Sequence, residues 1–236
     1  MDAAGLTFQR VPAVDGRKCA ASDLPGYDPK LALKRHGRLL SGGEVGCYLS
    51  HIKALRLFLD SDAPMALVLE DDIAVGPHAK PVLSALVDYL AAGQVDNWHM
   101  VNLCRGVKRY ASHLHAFDGA AQDHVLCRAH YFPDKTTAIL WSRAGAQEFL
   151  RAATPIYAPV DHFLRIWNTD TDAGLSVKPK PFWTTEVDSD IGGDDNTRLK
   201  QRRTFRYALR KQVVMRRNKR KALKLWQNFQ KQIQDS

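Results

Sequence analysis

The stretch that decides the fold is residues 65–72, which read Met65-Ala66-Leu67-Val68-Leu69-Glu70-Asp71-Asp72. Its five consecutive apolar residues predict a buried strand, because a strand covered on both faces loses the usual alternation of apolar and polar side chains. Three carboxylates follow at the end of that strand, and they repel one another unless water, hydrogen bonds or a cation offsets their charge.

The spacing of these acids permits a metal site. In an extended chain Glu70 and Asp72 point to the same side, so both can face one ion while Asp71 turns elsewhere. Hard oxygen ligands suit Mg²⁺ or Mn²⁺. The alternative interpretation of these eight residues alone is an acidic surface loop after a strand.

A helix is predicted just before this strand. Ser41 and Glu44 have the spacing of a capping box, in which the serine hydroxyl and the glutamate carboxylate each bond a backbone N–H at the helix start. Apolar residues then recur at helical spacing through to about Asp60. Ser50 and His51 lie in the first half of this helix, where a single histidine is more often structural than catalytic and Glu44 is most simply a cap.

The remaining pattern alternates strands with helices and predicts an α/β sheet whose ligands bind beyond the carboxyl ends of the strands. Short apolar runs predict strands, and Gly- or Pro-marked segments predict loops. The predicted strands are Phe8–Gly16, Trp98–Leu103, Thr136–Ser142 and Leu175–Trp183; the predicted helices cover 82–90 and Arg143–Ala152; the predicted loops are Ser22–Arg38, with one helical turn, and Gly106–Phe132, with His113 and His115.

Asp161 follows a proline-marked segment and opens another helical pattern. An acid there is explained by an N-cap or first-turn role, since the helix dipole favours negative charge at that end. It can equally serve as a positioned base.

The composition of the 236 residues, 45% of them apolar, is that of a globular protein with a sizeable core. No apolar run reaches the length of a membrane span, and the start lacks a signal pattern, so we expect a cytosolic location. The four cysteines are scattered without a CxxC pair, which disfavours a zinc site and a disulfide framework.

The charge is unevenly distributed. Residues 198–231 contain 14 Lys or Arg and no acid, within a net charge of +9 for the whole chain. We therefore predict a body over residues 1–197 and a basic tail of one or two amphipathic helices over residues 198–236. The apolar positions assigned to the tail are Phe205, Leu209, Val213, Trp226, Phe229 and Ile233.

An anionic partner is expected for this tail. A basic helix with Trp and Phe on its apolar side is typical of binding at an anionic lipid surface. Nucleic acid is the rival, disfavoured because the body carries no known nucleic-acid-binding signature. A solvated charged helix is the simplest alternative.

Together these segments resemble the bacterial glycosyltransferases of family 25, which include lipopolysaccharide and lipooligosaccharide β-galactosyltransferases. The matching segments are Arg10–Gly16 (R-V-P-A-V-D-G), Gly43–His51 (G-E-V-G-C-Y-L-S-H), Ala66–Asp72 (A-L-V-L-E-D-D), Thr136–Ala146, Pro159–Asp161 and Ser189–Ile191. They cover most of the chain from Phe8 to about Asp190.

The resemblance implies a GT-A-like, Rossmann-like fold, a UDP-sugar donor, a Mn²⁺ or Mg²⁺ ion and transfer with inversion at the anomeric carbon. It implies Glu70 and Asp72 as metal ligands and Asp161 as the catalytic base. Asp71, Glu44, Ser50 and His51 are further site-facing candidates. The expected reaction is hexosyl transfer, with galactose as the sugar, to a lipopolysaccharide or other surface-glycan acceptor, by an enzyme peripheral on the inner face of the cell membrane.

The sequence departs from the family pattern at its start. Family members usually open with an extra apolar strand and an N-L-x-R-x-x-R segment, whereas only seven residues precede Phe8. The alternative prediction is therefore an N-terminally truncated, inactive relative that acts as a basic membrane- or nucleic-acid-binding protein.

Overall fold

The computed structural model describes residues 7–185 and 205–235. Its helices are α1 (Pro29–Leu31, continued by a π-helical turn over Ala32–His36), α2 (Gly42–Leu59), α3 (Ala79–Ala91), α4 (Arg143–Ala152), α5 (Val160–Thr171) and α6 (Phe205–Gln234). Its strands are β1 (Met65–Leu69), β2 (Ile73–Val75), β3 (Met100–Asn102), β4 (Ala111–Ala116), β5 (Val125–Ala129), β6 (Ala138–Ser142), β7 (Gly174–Lys178) and β8 (Phe182–Thr184).

Six strands form the central sheet in the order β1-β6-β3-β7-β5-β4, and β2 pairs with β8 in a separate two-stranded sheet. Only the β3–β7 pair is parallel; the other pairs are antiparallel. The predicted α/β class is confirmed, and this mixed sheet is consistent with a Rossmann-like fold.

Two apolar cores cover the two faces of the sheet. Along β6, Ile139 and Trp141 pack into a core shared with α2, α4 and α5, whereas Ala138 and Leu140 pack into a core shared with α3. All five β6 residues are buried because strand alternation sends their side chains to both cores. The continuous apolar sequence of β6 follows from this arrangement.

The strand β1 has the predicted bounds but lies at one edge of the sheet. Ala66 and Val68 face one core, and Met65, Leu67 and Leu69 face the other, which explains the missing alternation. All five residues are only half-buried, so the expectation of a fully buried strand is wrong. An edge strand has one neighbour and stays open to water along its other side.

The helix α2 begins as predicted. Ser41 Oγ accepts from the Glu44 backbone N–H at 3.2 Å, and Glu44 Oε2 accepts from the Ser41 backbone N–H at 2.9 Å. Glu44 also forms an ion pair with Arg38. Burial raises the pKa of the Glu44 carboxyl, but the hydrogen bond and positive charge of Arg38 outweigh it and lower that pKa overall.

The predicted strand at Phe8–Gly16 is absent from the structure. This segment instead runs along α2, where the Val14 backbone N–H donates to Ser50 Oγ at 2.8 Å and Lys53 Nζ donates to the Pro12 carbonyl at 2.8 Å. A Cβ on Gly16 would lie 2.0 Å from the Gly42 carbonyl oxygen, so only glycine fits this backbone approach. Hydrogen bonds with side chains of α2 therefore hold this segment, and it pairs with none of the described strands.

Three other segments differ from the sequence prediction. The predicted loop around His113 and His115 is a β-hairpin of β4 and β5, whose polar residues face the half-exposed side of an edge strand. The predicted strand Leu175–Trp183 divides into β7 and β8, because Pro179 and Pro181 interrupt the backbone donors between them. The predicted loop Ser22–Arg38 contains helical turns over Ala21–Asp23 and Pro29–His36.

The basic tail forms one helix, α6, that packs against α5, β4 and the turn Ala32–His36. Phe229 contacts the His130 ring, and Gln230 Nε2 donates to Ser112 Oγ at 3.0 Å. Of the apolar positions predicted for the tail, Leu209, Val213 and Ile233 are each more than half exposed and do not belong to the packed face. Tyr207, Asn218 and Ala222 are buried in their place.

None of the helices within the described ranges is both long and apolar enough to cross a membrane. The four cysteines are free thiols. The predicted boundary between residues 197 and 198 and the Ser189–Ile191 motif lie outside the described residues.

Removing the capping hydroxyl tests the start of α2. We expect Ser41→Ala to lower the free energy of unfolding by about 1 kcal/mol, because one backbone N–H loses its acceptor. Urea denaturation measures the change. Ser84→Ala, on the exposed side of α3, is the matched control and is expected to change stability by less than about 0.5 kcal/mol. Equal effects of both substitutions would contradict the capping role.

Candidate active site

The acidic stretch after β1 lies where three strands have their ends. The strand β1 runs antiparallel to β6, β6 runs antiparallel to β3, and β3 runs parallel to β7. The carboxyl ends of β1, β3 and β7 therefore meet the start of β6 at one end of the sheet. The Glu70 backbone N–H extends this pairing by donating to the Thr137 carbonyl at 2.9 Å.

One carboxylate oxygen of Glu70 joins three elements. Glu70 Oε1 lies 3.3 Å from His51 Nε2 on α2 and accepts a hydrogen bond from Thr136 Oγ1, just before β6. His51 is only 4% exposed. A buried imidazole and a largely buried carboxylate therefore satisfy each other at the end of β1.

The pKa shifts of this pair describe an ion pair. Burial lowers the pKa of His51, but hydrogen bonding to Cys47 and Glu70 outweighs burial and raises that pKa to about 10. Burial raises the pKa of the Glu70 carboxyl, yet the bonds and charge of His51, with Thr136, lower it overall. His51 is thus protonated and Glu70 ionised at neutral pH.

Asp72 has a different environment from Glu70. Its Oδ1 atom is buried and has no hydrogen-bond partner in the part of the chain that the structure describes. Burial, followed by the charges of Glu70 and Asp71, raises the pKa of its carboxyl. Its backbone carbonyl is held in place by Thr185, whose N–H and hydroxyl donate at 2.7 and 2.9 Å. Asp71 between the two is exposed.

This arrangement suits a divalent cation, which a GT-A-like site would require. The unpartnered Asp72 oxygen is a hard ligand atom, and a cation would relieve its repulsion from Glu70 and Asp71. Glu70 keeps a second oxygen for such an ion while Oε1 remains bonded to His51 and Thr136. Carboxylate oxygens of this kind are the ligands that Mg²⁺ and Mn²⁺ prefer.

Asp161 lies in the first turn of α5, after Pro159, and its Oδ1 accepts from the His162 backbone N–H at 2.7 Å. It is a first-turn acid and not the N-cap. One turn later Arg165 forms an ion pair with Asp134, which also pairs with Arg105 at 2.7 Å. Asp134 stands two residues before Thr136, so this network links the start of α5 to the Glu70 end of the sheet.

The remaining candidates have structural contacts. Glu44 caps α2, and Ser50 Oγ accepts from the Val14 N–H and donates to the Gly46 carbonyl, both at 2.8 Å. These two residues hold the start of α2 and the segment beside it. Among the α2 candidates, His51 contacts the acidic stretch.

Sequence reasoning missed Thr136 and the network of Asp134 with Arg105 and Arg165. Thr136 opens one of the segments that resemble the family, which was an available signal for it. The ion-pair network had no such signal, because its members lie 29 to 60 positions apart and meet only through folding.

Comparison with known proteins agrees with the resemblance. The profile of "Glycosyltransferase family 25 (LPS biosynthesis protein)" matches residues 1–164. Procollagen galactosyltransferase 1 of Danio rerio is 34% identical over 66% of this chain and 26% of its own length. Procollagen galactosyltransferase 2 of Homo sapiens is 31% identical over 66% and 25%, and "Probable inactive glycosyltransferase 25 family member 3" of Bos taurus is 31% identical over 66% and 26%.

The chain spans about a quarter of the length of these relatives. The profile match nevertheless covers more than half of the chain and includes the capping box, the acidic stretch and Asp161. The predicted family is therefore confirmed: this chain belongs to glycosyltransferase family 25.

Proposed function

We propose that the protein is an inverting glycosyltransferase that moves a hexose from a UDP-sugar to a hydroxyl of a glycan acceptor. The observation that carries the proposal is the acidic stretch at the end of β1, where no described residue forms a hydrogen bond with the buried Asp72 Oδ1. Family membership supports glycosyl transfer, and the names of the procollagen galactosyltransferases support galactose as the sugar. The family description, which names LPS biosynthesis, supports a lipopolysaccharide acceptor.

The metal is assigned to Asp72 and Glu70 in a GT-A-like site. A bound Mn²⁺ or Mg²⁺ would offset the charge that develops on the departing diphosphate, a contribution of several kcal/mol. His51 and Thr136 orient Glu70 through its Oε1 atom, so that the carboxylate does not turn away. Preorganisation of this kind is a general requirement for electrostatic catalysis.

Asp161 is assigned as the base. An inverting displacement requires a group opposite the leaving diphosphate that accepts the proton of the acceptor hydroxyl, and a carboxylate can do this. Its place at the amino end of α5 and the link from Arg165 through Asp134 to the Glu70 segment support this role.

A membrane surface is proposed as a further partner. The outer face of α6 carries Leu209, Val213, Arg216, Arg217 and Arg220, all exposed and spaced by three or four residues except for the adjacent arginines. Basic side chains together with exposed aliphatic ones suit the surface of an anionic membrane. This outer face replaces the side that carries Trp226 and Phe229, because Phe229 contacts the His130 ring of the body. The outer face supports a peripheral location on the inner face of the cell membrane.

Substitution of Asp72 tests the metal site. We expect Asp72→Asn to lower Mn²⁺-dependent transfer from UDP-galactose by at least about 100-fold, because the cation loses a charged ligand. Activity and calorimetric binding of UDP with Mn²⁺ are measured together. Asp62→Asn, an exposed change of the same type before β1, is the control. Full activity in EDTA would contradict the metal assignment, and absence of both UDP binding and transfer would favour the inactive alternative.

The base assignment has its own test. We expect Asp161→Asn to lower kcat by about 100-fold or more while UDP binding stays nearly unchanged, since a base acts in the chemical step. Asp88→Asn, an exposed change of the same type on α3, is the control. Unchanged turnover of the Asp161→Asn protein would remove this residue as the base.

The outer face of α6 is tested with vesicles that contain an anionic phospholipid. We expect the triple change of Arg216, Arg217 and Arg220 to Gln to reduce the free energy of binding to these vesicles by about 3 kcal/mol, at roughly 1 kcal/mol for each charge. Co-sedimentation with the vesicles measures the binding. Added salt should also weaken the binding of the parent protein to these vesicles. The control changes three exposed body residues, Lys18, Arg56 and Arg109, to Gln. An equal loss of vesicle binding in both triple variants would indicate an effect of net charge and would contradict a specific binding face on α6.

A further inference from the structure

A cavity lies between the basic helix α6, helix α5 and the turn Ala32–His36. Its accessible volume is about 50 Å³, which is room for one small charged group and not for a whole sugar. The apolar part of the wall comes from Tyr157, Ile166, Val214 and Met215. The helix α6, which the proposed transfer reaction does not use, thus supplies one side of a cavity.

The polar part of the wall is cationic. Arg35, Arg165 and Lys211 line it, and no carboxylate is among the described residues that do so. Arg165 is already paired with Asp134, and the Arg35 guanidinium lies 5.2 Å from the centre of the Tyr157 ring. Arg35, from the turn Ala32–His36, and Lys211, from α6, both line the cavity and are exposed, so they can meet an anion entering from solvent.

His36 supplies an unused polar atom in the same wall. Its Nε2 is buried and has no hydrogen-bond partner within the described part of the chain. The centre of its ring lies 5.3 Å from the centre of the His162 ring and 5.5 Å from the centre of the Tyr207 ring. A buried polar atom without a partner costs free energy unless a ligand or water meets it.

The charges around His36 and His162 give the cavity a positive potential. Burial lowers the pKa of His36 to about 3, and the charges of Arg38, His162 and Lys211 add to this against the opposing effect of Glu44. Burial also lowers the pKa of His162; Asp161 opposes the shift, while Arg165, Lys211 and Arg38 reinforce it. A neutral His36 can donate its Nε2 proton to an oxyanion, for which both imidazole and ammonium groups are donors.

We propose that this cavity binds a phosphate or carboxylate group carried by a sugar substrate, with Arg35, Lys211 and His36 Nε2 as its contacts. The inference rests on the proposed glycosyl transfer, because His162 in the cavity wall adjoins the proposed base Asp161. The anion is either the acidic group of the acceptor or the diphosphate of the donor. The basic tail would then complete a substrate site as well as carry a basic outer face.

Calorimetric binding to the full chain without metal tests the cavity. The probes are inorganic phosphate, UDP, a hexose phosphate and the same hexose without phosphate. We expect phosphate and hexose phosphate to bind and the neutral hexose not to bind. Lys211→Glu should weaken anion binding about tenfold or more, since a hydrogen-bonded charge is reversed.

The matched control is Lys224→Glu, an exposed change of the same charge on the same helix. It should change anion binding by less than about twofold, as expected for an exposed charge outside the cavity. Lys211→Gln, which is less disruptive, should fall between the parent and Lys211→Glu, and far-UV circular dichroism reports the folding of each variant. Equal weakening by Lys211→Glu and Lys224→Glu, or no anion binding by the parent chain, would overturn the proposal.

The probes also separate the two sources and the two proposals. Sensitivity of hexose-phosphate binding alone to Lys211→Glu assigns the cavity to the acceptor, and sensitivity of UDP binding assigns it to the donor. Lys211-dependent anion binding without any glycosyl transfer would support the cavity and contradict the proposed function. Glycosyl transfer by the parent protein, together with anion binding that Lys211→Glu does not change, would support the proposed function and contradict the cavity proposal.

Discussion

The contact of Glu70 Oε1 with His51 Nε2 and Thr136 Oγ1 is the interaction on which the candidate site depends. It connects α2, the end of β1 and the start of β6 through a single carboxylate oxygen. His51 is buried, and a buried charge needs a partner, because leaving it unpaired is destabilising. The site and the local fold therefore share the same side chains, since His51 both pairs with Glu70 and belongs to the buried side of α2.

The three neighbouring acids differ because the fold gives each a different environment. Glu70 is stabilised as an anion by His51, Asp71 is exposed to water, and Asp72 has a buried oxygen to which no described residue donates a hydrogen bond. The two-stranded β2–β8 ladder and the bonds from Thr185 to the Asp72 carbonyl hold that last residue in place. Three successive acids thus have three different environments: one is paired, one faces water, and one has a buried oxygen atom.

The basic tail is part of the folded unit within the described residues. Its inner face packs against α5 and β4, and Lys221 forms an ion pair with Asp170 at 2.6 Å. A long helix with this much positive charge is stabilised by such packing more than by its own propensity. Its inner and outer faces consequently present cations in two directions, one toward the cavity beside α5 and one toward solvent.

Local interactions made much of this protein predictable from its sequence. The capping box at Ser41, the bounds of β1 and of α4, and the family all follow from short spacings, because caps, helical faces and strand alternation involve residues close in the chain. The segment Phe8–Gly16 read as a strand because its local pattern could not reveal that Ser50 and Lys53 would supply its hydrogen bonds. In the same way, only the tertiary structure decided which acid in residues 70–72 is paired, that β1 is an edge strand, and which face of α6 is covered, since each depends on contacts between residues far apart in sequence.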